Sequence, residues 1–281
     1  MASLWIIAAC VFFALMSAVI KYTALKIGIL EILFYRSLIN LILISTVIRV
    51  KGLSFKTQRF SLHFLRSLLG VLAMYCGFYA LIHLPLATAM TLSYTHPIFQ
   101  TLIACLTQRA LIGKFQILAV VLGFLGCLIL LNPKFSNPNM WATCIGLLSG
   151  LFTALAYFNV GKLVRAGESE FLIIFNFSLV GTVFSLVAVT LMTGFSAVDS
   201  ETLLGIVAIG LLGTMGQFAL TRAYGHGNVM TVAVLSYNQI IFAVILGYVF
   251  FSESMTWSAM MGIIFIVAAG LSAVYKKSNL Q

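Results

Sequence analysis

Arginine and histidine side chains inside otherwise apolar segments are the groups of this chain best placed to do chemistry. Arg36 lies within the apolar segment 31–49, and His96 lies midway through the segment 86–107. An ionisable group in such surroundings is costly unless it faces water, a partner or a ligand. Arg36 could attract a carboxylate or a phosphate, or it could form a structural ion pair. The sequence does not choose between these two roles.

Other polar side chains accompany His96 on one half of its helical wheel. They are Thr88, Thr91, Thr95 and Gln100. A second polar group lies further along the chain and consists of Thr231, Tyr237, Asn238 and Gln239. Two such belts at mid-depth predict a central polar cavity, in which Tyr94 and Tyr237 could stack on a flat part of a ligand. The alternative is that these groups only bond neighbouring helices.

The two belts belong to an internal repeat. Segments 78–99 and 221–242 share alanine, histidine, threonine, phenylalanine and a Leu-Ser-Tyr triplet at one constant offset in residue number. His96 falls on Gln239, whereas Pro97 falls on Ile240. We therefore predict two five-helix units, residues 1–135 and 136–281.

The composition requires lipid as the main solvent of this chain. Of 281 residues, 62% are hydrophobic and only 8% are charged, against about 25% charged in soluble domains. The basic residues fall in short loops and not along one helix face, which argues against binding to nucleic acid. The five cysteines are isolated inside apolar stretches, so neither a metal site nor a disulfide framework is predicted. The apolar run from Leu4 to Ile20 lacks a basic start and a clear cleavage site, and we expect it to be a retained span.

Ten apolar segments are long enough to cross a bilayer at a helical rise of about 1.5 Å per residue. They are residues 3–22, 31–49, 64–82, 86–107, 115–132, 140–161, 170–193, 203–223, 229–251 and 256–274. Because each half has five spans, an odd number, the second half must enter the membrane in the opposite orientation. The predicted fold is an all-α integral membrane protein with ten transmembrane helices, arranged as two inverted five-helix repeats around a central cavity.

Loop charges orient the predicted spans. With the N-terminus in the cytoplasm, twelve basic residues fall on the cytoplasmic side and three on the other side. The cytoplasmic twelve are Arg49, Lys51, Lys56, Arg59, Arg66, Arg109, Lys114, Lys162, Arg165, Arg222, Lys276 and Lys277, and the other three are Lys21, Lys26 and Lys134. This positive-inside bias predicts that both termini are cytoplasmic.

Three further residues are candidates for coupling or gating. Glu31 and His96 are the titrating groups best placed for coupling, and Lys21 could pair with Glu31 or extend to the membrane interface. Pro97 removes one backbone hydrogen bond in mid-span and frees a carbonyl near Ser93. It could form a hinge or a simple packed kink.

Several stretches resemble the EamA-type branch of the drug/metabolite transporter superfamily. They are GILEILFYRSLI (28–39), LRSLLG (65–70), YALIHLPLATA (79–89) and the pair His96-Pro97. The resemblance implies a five-plus-five inverted repeat, a central cavity and movement of small metabolites. The family's glutamate after the fourth span is Gln108 here, and Glu253 matches the equivalent residue after the ninth. The Glu-x-x-x-x-Arg pattern at Glu31 is also similar to S-adenosylmethionine uptake transporters, and amino-acid exporters are similar to the same degree.

The expected function is secondary transport of a small polar or zwitterionic metabolite across a bacterial inner membrane by alternating access. The alternatives are a broad-specificity exporter and a non-transporting membrane enzyme or assembly partner. The chain has no P-loop, no HExxH and no clustered aspartates, so we predict that it is not an enzyme and needs no cofactor. A small molecule and the bilayer are the predicted partners, and the sequence leaves monomer and homodimer open. Substrate identity, direction of flux and driving ion are also open.

Overall fold

Helices form almost all of the chain in the computed structural model, which describes residues 1–84, 86–108, 114–132, 139–251 and 257–275. No strand occurs among these described residues. Within them, seven helical segments are long and apolar enough to cross a membrane, and shorter apolar helices cover 115–131 and 260–273. Large apolar side chains such as Leu211 and Val249 remain exposed on the outside, as expected for a surface that faces lipid. The ten-span count itself stays a prediction.

Within the described residues, the first half of the chain contains six helices. They are α1 (Ala2–Thr23), α2 (Ile29–Val50), α3 (Phe60–His83), α4 (Leu86–Ser93), α5 (His96–Gln108) and α6 (Lys114–Leu131).

The part of the second half that the structure describes has six helices in the same order of long and short elements. They are α7 (Met140–Arg165), α8 (Glu170–Ala188), α9 (Ser200–His226), α10 (Val229–Leu235), α11 (Asn238–Phe251) and α12 (Trp257–Tyr275). A π-helical turn, Val189–Thr193, extends α8.

Side-chain caps fix the start of three helices in the second half. The carboxylate of Asp199 accepts from the Thr202 amide at 2.7 Å, and the side chains of Asn139 and Asn228 cap α7 and α10 in the same way. Such caps satisfy backbone N–H groups that have no partner inside the helix. Gly167 follows α7 with φ at +88°, where a residue with a Cβ would be strained.

The long helices pack in pairs. α1 packs along α9, α3 along α7, α2 along α8, and α6 along α12. Glycines allow the closest approaches: a Cβ on Gly126 of α6 would lie 2.8 Å from the backbone oxygen of Gly262 on α12. Small residues at such contacts are typical of helix association in membranes.

Two of the predicted spans differ from the structure in one respect. Segments 86–107 and 229–251 are not continuous α-helices, because each breaks in its middle. The predicted boundary between the units, at residues 135 and 136, lies outside the described residues, as does Glu253.

Candidate functional site

A cavity of about 350 Å³ lies inside the helix bundle. Its wall is mainly apolar and aromatic, with a few polar side chains from several helices. The polar and ionisable ones are Arg36, Arg66, Ser93, Tyr94, His96, Thr153, Tyr157, Gln217 and Gln239. A mostly apolar pocket with a few converging polar groups is the usual form of a small-molecule site.

Breaks in the two short-helix pairs bring backbone and side chains to this cavity. α4 ends at Ser93 and α5 begins at His96, so Tyr94 and Thr95 form a turn. α10 ends at Leu235 and α11 begins at Asn238, which leaves Ser236 and Tyr237 in the equivalent turn. In both turns, amides at the start of the second helix bond three residues back. Irregular backbone at this depth is tolerated when it is buried in protein or lines a cavity.

Pro97 occupies the first turn of α5, where its missing N–H costs nothing. The same break occurs in the second half although Ile240 stands in place of a proline. The break therefore does not depend on proline.

Four of the eight predicted binding residues lie on the cavity wall. They are Arg36, Tyr94, His96 and Gln239. These four come from α2, from the first break and from the starts of α5 and α11, so residues distant in sequence meet at one site.

The other four predicted binding residues lie behind the wall. The Thr95 hydroxyl donates to the Leu92 carbonyl at 2.6 Å, and the Asn238 amide donates to the Leu235 carbonyl at 2.8 Å. Gln100 is buried and accepts a hydrogen bond of 3.2 Å from the Tyr224 hydroxyl. Tyr237 is fully buried, and its ring centroid lies 6.4 Å from that of Tyr94. Their side chains fix the broken turns and support residues that do reach the cavity.

His96 lies in an aromatic row. Its ring centroid is 6.3 Å from that of Tyr94 and 5.8 Å from that of Tyr157, which in turn lies 4.8 Å from Tyr224. Within the described part of the chain, Nδ1 of His96 has no hydrogen-bond partner.

Arg66 was wrongly placed among the cytoplasmic loop charges. It is only 1% exposed, lies in α3 and forms part of the cavity wall. Its guanidinium carbon sits 4.0 Å from the centre of the Phe177 ring, a cation–π contact. Among the described residues, its Nε and Nη1 atoms donate to no acceptor.

The two cavity arginines can be located against α3. Nη1 of Arg36 lies 3.4 Å from Sδ of Met74, and Nη1 of Arg66 lies 3.2 Å from the position that a Cβ on Gly70 would take. Gly70 and Met74 are one helical turn apart, so both guanidinium groups lie beside the same stretch of α3. Two positive charges on one cavity wall repel each other.

Glu31 and Lys21, proposed for coupling, do not line the cavity. Glu31 is buried in the first turn of α2, and its Oε1 accepts from the Ser196 amide at 2.6 Å. Lys21 is exposed near the end of α1.

One charged cluster, which we call the Lys26 end, joins the α1–α2 connection to the start of α9. Lys26 forms an ion pair of 3.0 Å with Asp199 and a second with Glu201, which also accepts from the Tyr22 hydroxyl. Hydrogen bonds to Glu201 and then to Asp199 raise the pKa of Lys26. Hydrogen bonds from Thr202 and then from Lys26 lower the pKa of Asp199.

A second cluster, the Glu168 end, joins the α7–α8 connection to the start of α3. Glu168 accepts from the Thr57 hydroxyl at 2.7 Å and contacts Nε2 of His63 at 3.1 Å. Burial opposes ionisation of Glu168, but the bonds from Thr57 and His63 outweigh it and lower its pKa. The Glu168 carboxylate is therefore charged at neutral pH.

The two clusters lie at opposite ends of the bundle. α2 begins just after Lys26 and ends at Val50, about 33 Å further on. There Nζ of Lys51 lies 4.7 Å from the centre of the Phe171 ring, close in sequence to Glu168.

Metal binding finds no support in the described side chains. Among those residues, no group of three or more His, Cys, Asp or Glu could hold an ion.

This fold and cavity define an integral membrane protein of the transporter class. The model of the EamA-like transporter family matches residues 1–132 and 140–274. The chain therefore belongs to the EamA-like transporter family, within the drug/metabolite transporter superfamily, and the predicted resemblance is confirmed.

Two relatives and one solved structure illustrate the similarity. The pseudopaline exporter of Pseudomonas aeruginosa is 32% identical over 92% of this chain and 90% of its own length. The S-adenosylmethionine uptake transporter of Rickettsia bellii is 25% identical over 92% of this chain and 88% of its own length. A crystal structure with 16% identity superimposes with a TM-score of 0.86, covering 100% of this chain and 98% of the other, which shows a shared fold.

Proposed function

We propose that the protein is a secondary transporter that moves a small polar or zwitterionic metabolite across the bacterial inner membrane by alternating access. The observation that carries this proposal is the mainly apolar cavity, with a few converging polar side chains, between two broken helix pairs. Membership of the transporter family and two relatives named for transport support it. A membrane enzyme would need reacting groups in the cavity, and the acidic residues that the structure describes lie elsewhere.

An inverted five-plus-five repeat, with units 1–135 and 136–281, is part of the proposal. At the offset that aligns His96 with Gln239, α1 corresponds to α7 and α3 corresponds to α9. When each helix is replaced by its counterpart in the other half, the α1–α9 pair becomes the α7–α3 pair. The α2–α8 and α6–α12 pairs remain the same pairs under this replacement. Two equivalent units that pack in this reciprocal way can rock about a site between them.

The clusters at the two ends provide contacts that alternating access requires. At the Lys26 end, the α1–α2 connection contacts the start of α9. At the Glu168 end, the equivalent α7–α8 connection contacts the start of α3, which is the counterpart of α9. Each cluster can serve as the gate of one side, so that opening one side costs only the contacts of that gate.

The proposed orientation puts the Glu168 end and both termini in the cytoplasm. Removing Arg66 from the loop charges leaves eleven cytoplasmic basic residues against three, so the positive-inside bias persists.

Arg36, Tyr94, His96 and Gln239 are the proposed contacts of the substrate. Arg36 meets an anionic group, while the His96 and Gln239 side chains hold the polar body and the Tyr94 ring covers a flat part. Thr95, Gln100, Tyr237 and Asn238 support these contacts from behind.

Transport by purified protein in liposomes tests the proposal. A thermal-shift screen against amino acids, nucleosides and S-adenosylmethionine selects a ligand, and counterflow of the labelled ligand should saturate. Arg36→Ala and His96→Ala should each lower uptake at least tenfold, whereas the exposed matched controls Arg49→Ala and His83→Ala should not. Flux that rises linearly without saturation would exclude a carrier. Normal uptake by both cavity variants would remove the site assignment.

A further inference from the structure

We propose that the ligand of this cavity carries two carboxylate groups, one bound by Arg36 and the other by Arg66. This inference rests on the proposed function, because it names the class of substrate for the same site. It adds a binding residue that the sequence did not reveal.

The first observation is the placement of two cations on one cavity wall. Nη1 of Arg66 lies 3.2 Å from the position of a Cβ on Gly70, and Nη1 of Arg36 lies 3.4 Å from Sδ of Met74, one helical turn further along α3. The two guanidinium groups repel each other. A ligand with two negative groups at matching spacing relieves this repulsion at both points at once.

The second observation is the absence of a protein carboxylate from the described cavity wall. The chain has six acidic residues, and one of them, Glu253, lies outside the described residues. Glu31 bonds Ser196, and the remaining four belong to contacts with lysine, arginine, histidine or hydroxyl partners at the helix ends. A structural role for the two arginines would call for such a carboxylate partner beside them.

The third observation is unused donor capacity. Arg66 is 1% exposed, yet within the described chain its Nε and Nη1 atoms have no acceptor. Buried donors without acceptors are costly, and a carboxylate that binds the Nη1–Nη2 edge of the guanidinium would satisfy Nη1. Arg36 also has weak protein contacts, since the acceptor for its Nη1 is the thioether of Met74.

Glycines at repeat-equivalent positions make room for both arginines. A Cβ on Gly70 would lie 3.2 Å from Nη1 of Arg66, and a Cβ on Gly213 would lie 3.1 Å from Nε of Arg36. Gly213 follows Gly70 at the same offset that separates Gln239 from His96. The equivalent glycine of each half thus leaves room for one arginine side chain.

Size and surroundings restrict the ligand further. A volume of about 350 Å³ equals the share of about 12 waters in the liquid, enough for a small metabolite. The cavity therefore suits a short dicarboxylate whose carbon skeleton lies against aromatic side chains of the wall such as Tyr94 and Tyr157.

Binding to full-length protein in nanodiscs tests this inference without measuring flux. The probes are succinate, glutarate and adipate, the monoamide glutaramate and the neutral glutaramide, with glycerol phosphate as a dianion that carries both charges on one group. Titration calorimetry should show at least one dicarboxylate that binds at least tenfold tighter than its monoamide. The neutral diamide and glycerol phosphate should bind more weakly still.

Arginine variants then assign the two charges. Arg66→Gln and Arg36→Gln should each reduce the dicarboxylate-to-monoamide affinity ratio towards one, and Arg66→Lys should retain part of it. Arg49→Gln, an exposed arginine of α2, is the matched control and should leave the ratio unchanged. Size-exclusion profiles and melting temperatures of the variants report whether they fold.

Three results would overturn the inference: no dicarboxylate binds, the monoamide binds equally well, or Arg66→Gln leaves the ratio intact. Preferred binding of glycerol phosphate would overturn the two-carboxylate geometry. Saturable counterflow of a neutral or cationic compound that dicarboxylates do not inhibit would refute this inference and leave the transporter proposal standing. Dicarboxylate binding without counterflow of any compound would support this inference and refute the transporter proposal.

Discussion

Replacement of Glu168 by glutamine should open the Glu168 end of the protein. The carboxylate accepts from Thr57 at 2.7 Å and contacts His63 at 3.1 Å, and its side chain is only 12% exposed. Hydrogen bonds to a charged group contribute about 1.5–3 kcal/mol each. Glutamine keeps one acceptor oxygen, so one bond is lost and the other is weakened, which amounts to about 2 kcal/mol. The ratio of open to closed protein at this end should therefore rise about 30-fold.

Cysteine labelling from each side of the membrane measures this change. Ser93 lines the cavity, and Ser93→Cys in a background without the five native cysteines adds one reporter thiol there. In oriented liposomes, Glu168→Gln should speed modification by an impermeant thiol reagent added at the Glu168 end and slow it from the other side. Glu170→Gln, which removes a neighbouring acid that contacts His226, is the control and should have a much smaller effect.

Acid should reproduce the effect of the Glu168→Gln variant. The folded protein lowers the pKa of Glu168 from its ordinary value of 4.5, so the closing contact is fully present above pH 4.5 and is lost as the pH falls through the lowered pKa. His63 and Arg59 are the titratable groups that face this carboxylate, and both favour its charged form. Equal labelling rates for wild type and Glu168→Gln at pH 7 would refute the gate.

Two further predictions concern the other end and the helix contacts. Lys26→Gln removes both ion pairs of the Lys26 end and should speed labelling of Ser93→Cys from that side, while an unchanged rate would show that this cluster does not control access. Gly126→Ala places a Cβ 2.8 Å from the Gly262 backbone oxygen and should lower the free energy of unfolding by about 1–3 kcal/mol. Gly28→Ala, whose Cβ would meet nothing within 4 Å, is the control in the same thermal denaturation series, and equal stability of the two variants would contradict the packing argument.

The sequence predicted the helices well because apolar length is a strong signal in a membrane protein. The positions of α1, α2 and α7 agree with the predicted spans within a few residues. The midpoint breaks were missed, since the polar residues at 93–96 and 236–239 were interpreted as cavity-facing groups on continuous helices. Pro97 was a further signal in the first half, and Ile240 takes its place in the second.

The cavity wall was predicted in part. His96 and Gln239 were found because the repeat aligns them, and Arg36 because a charge stands out in an apolar segment. Arg66 was missed because it follows the basic run at Lys56 and Arg59 and was therefore counted as a loop charge. Tyr157 and Gln217 are single residues on long helices, and only the packing of α7 and α9 shows that they face the cavity.

The unequal burial of the two end clusters makes them respond differently to salt. The side chains of Lys26 and Asp199 are 34% and 59% exposed, so mobile ions at physiological strength, with a screening length of about 8 Å, reach this pair directly. His63 is fully buried and Glu168 nearly so, which shields their contact from such ions. Ionic strength therefore weakens the Lys26 cluster more than the Glu168 cluster, so added salt would shift the balance between the two proposed gates.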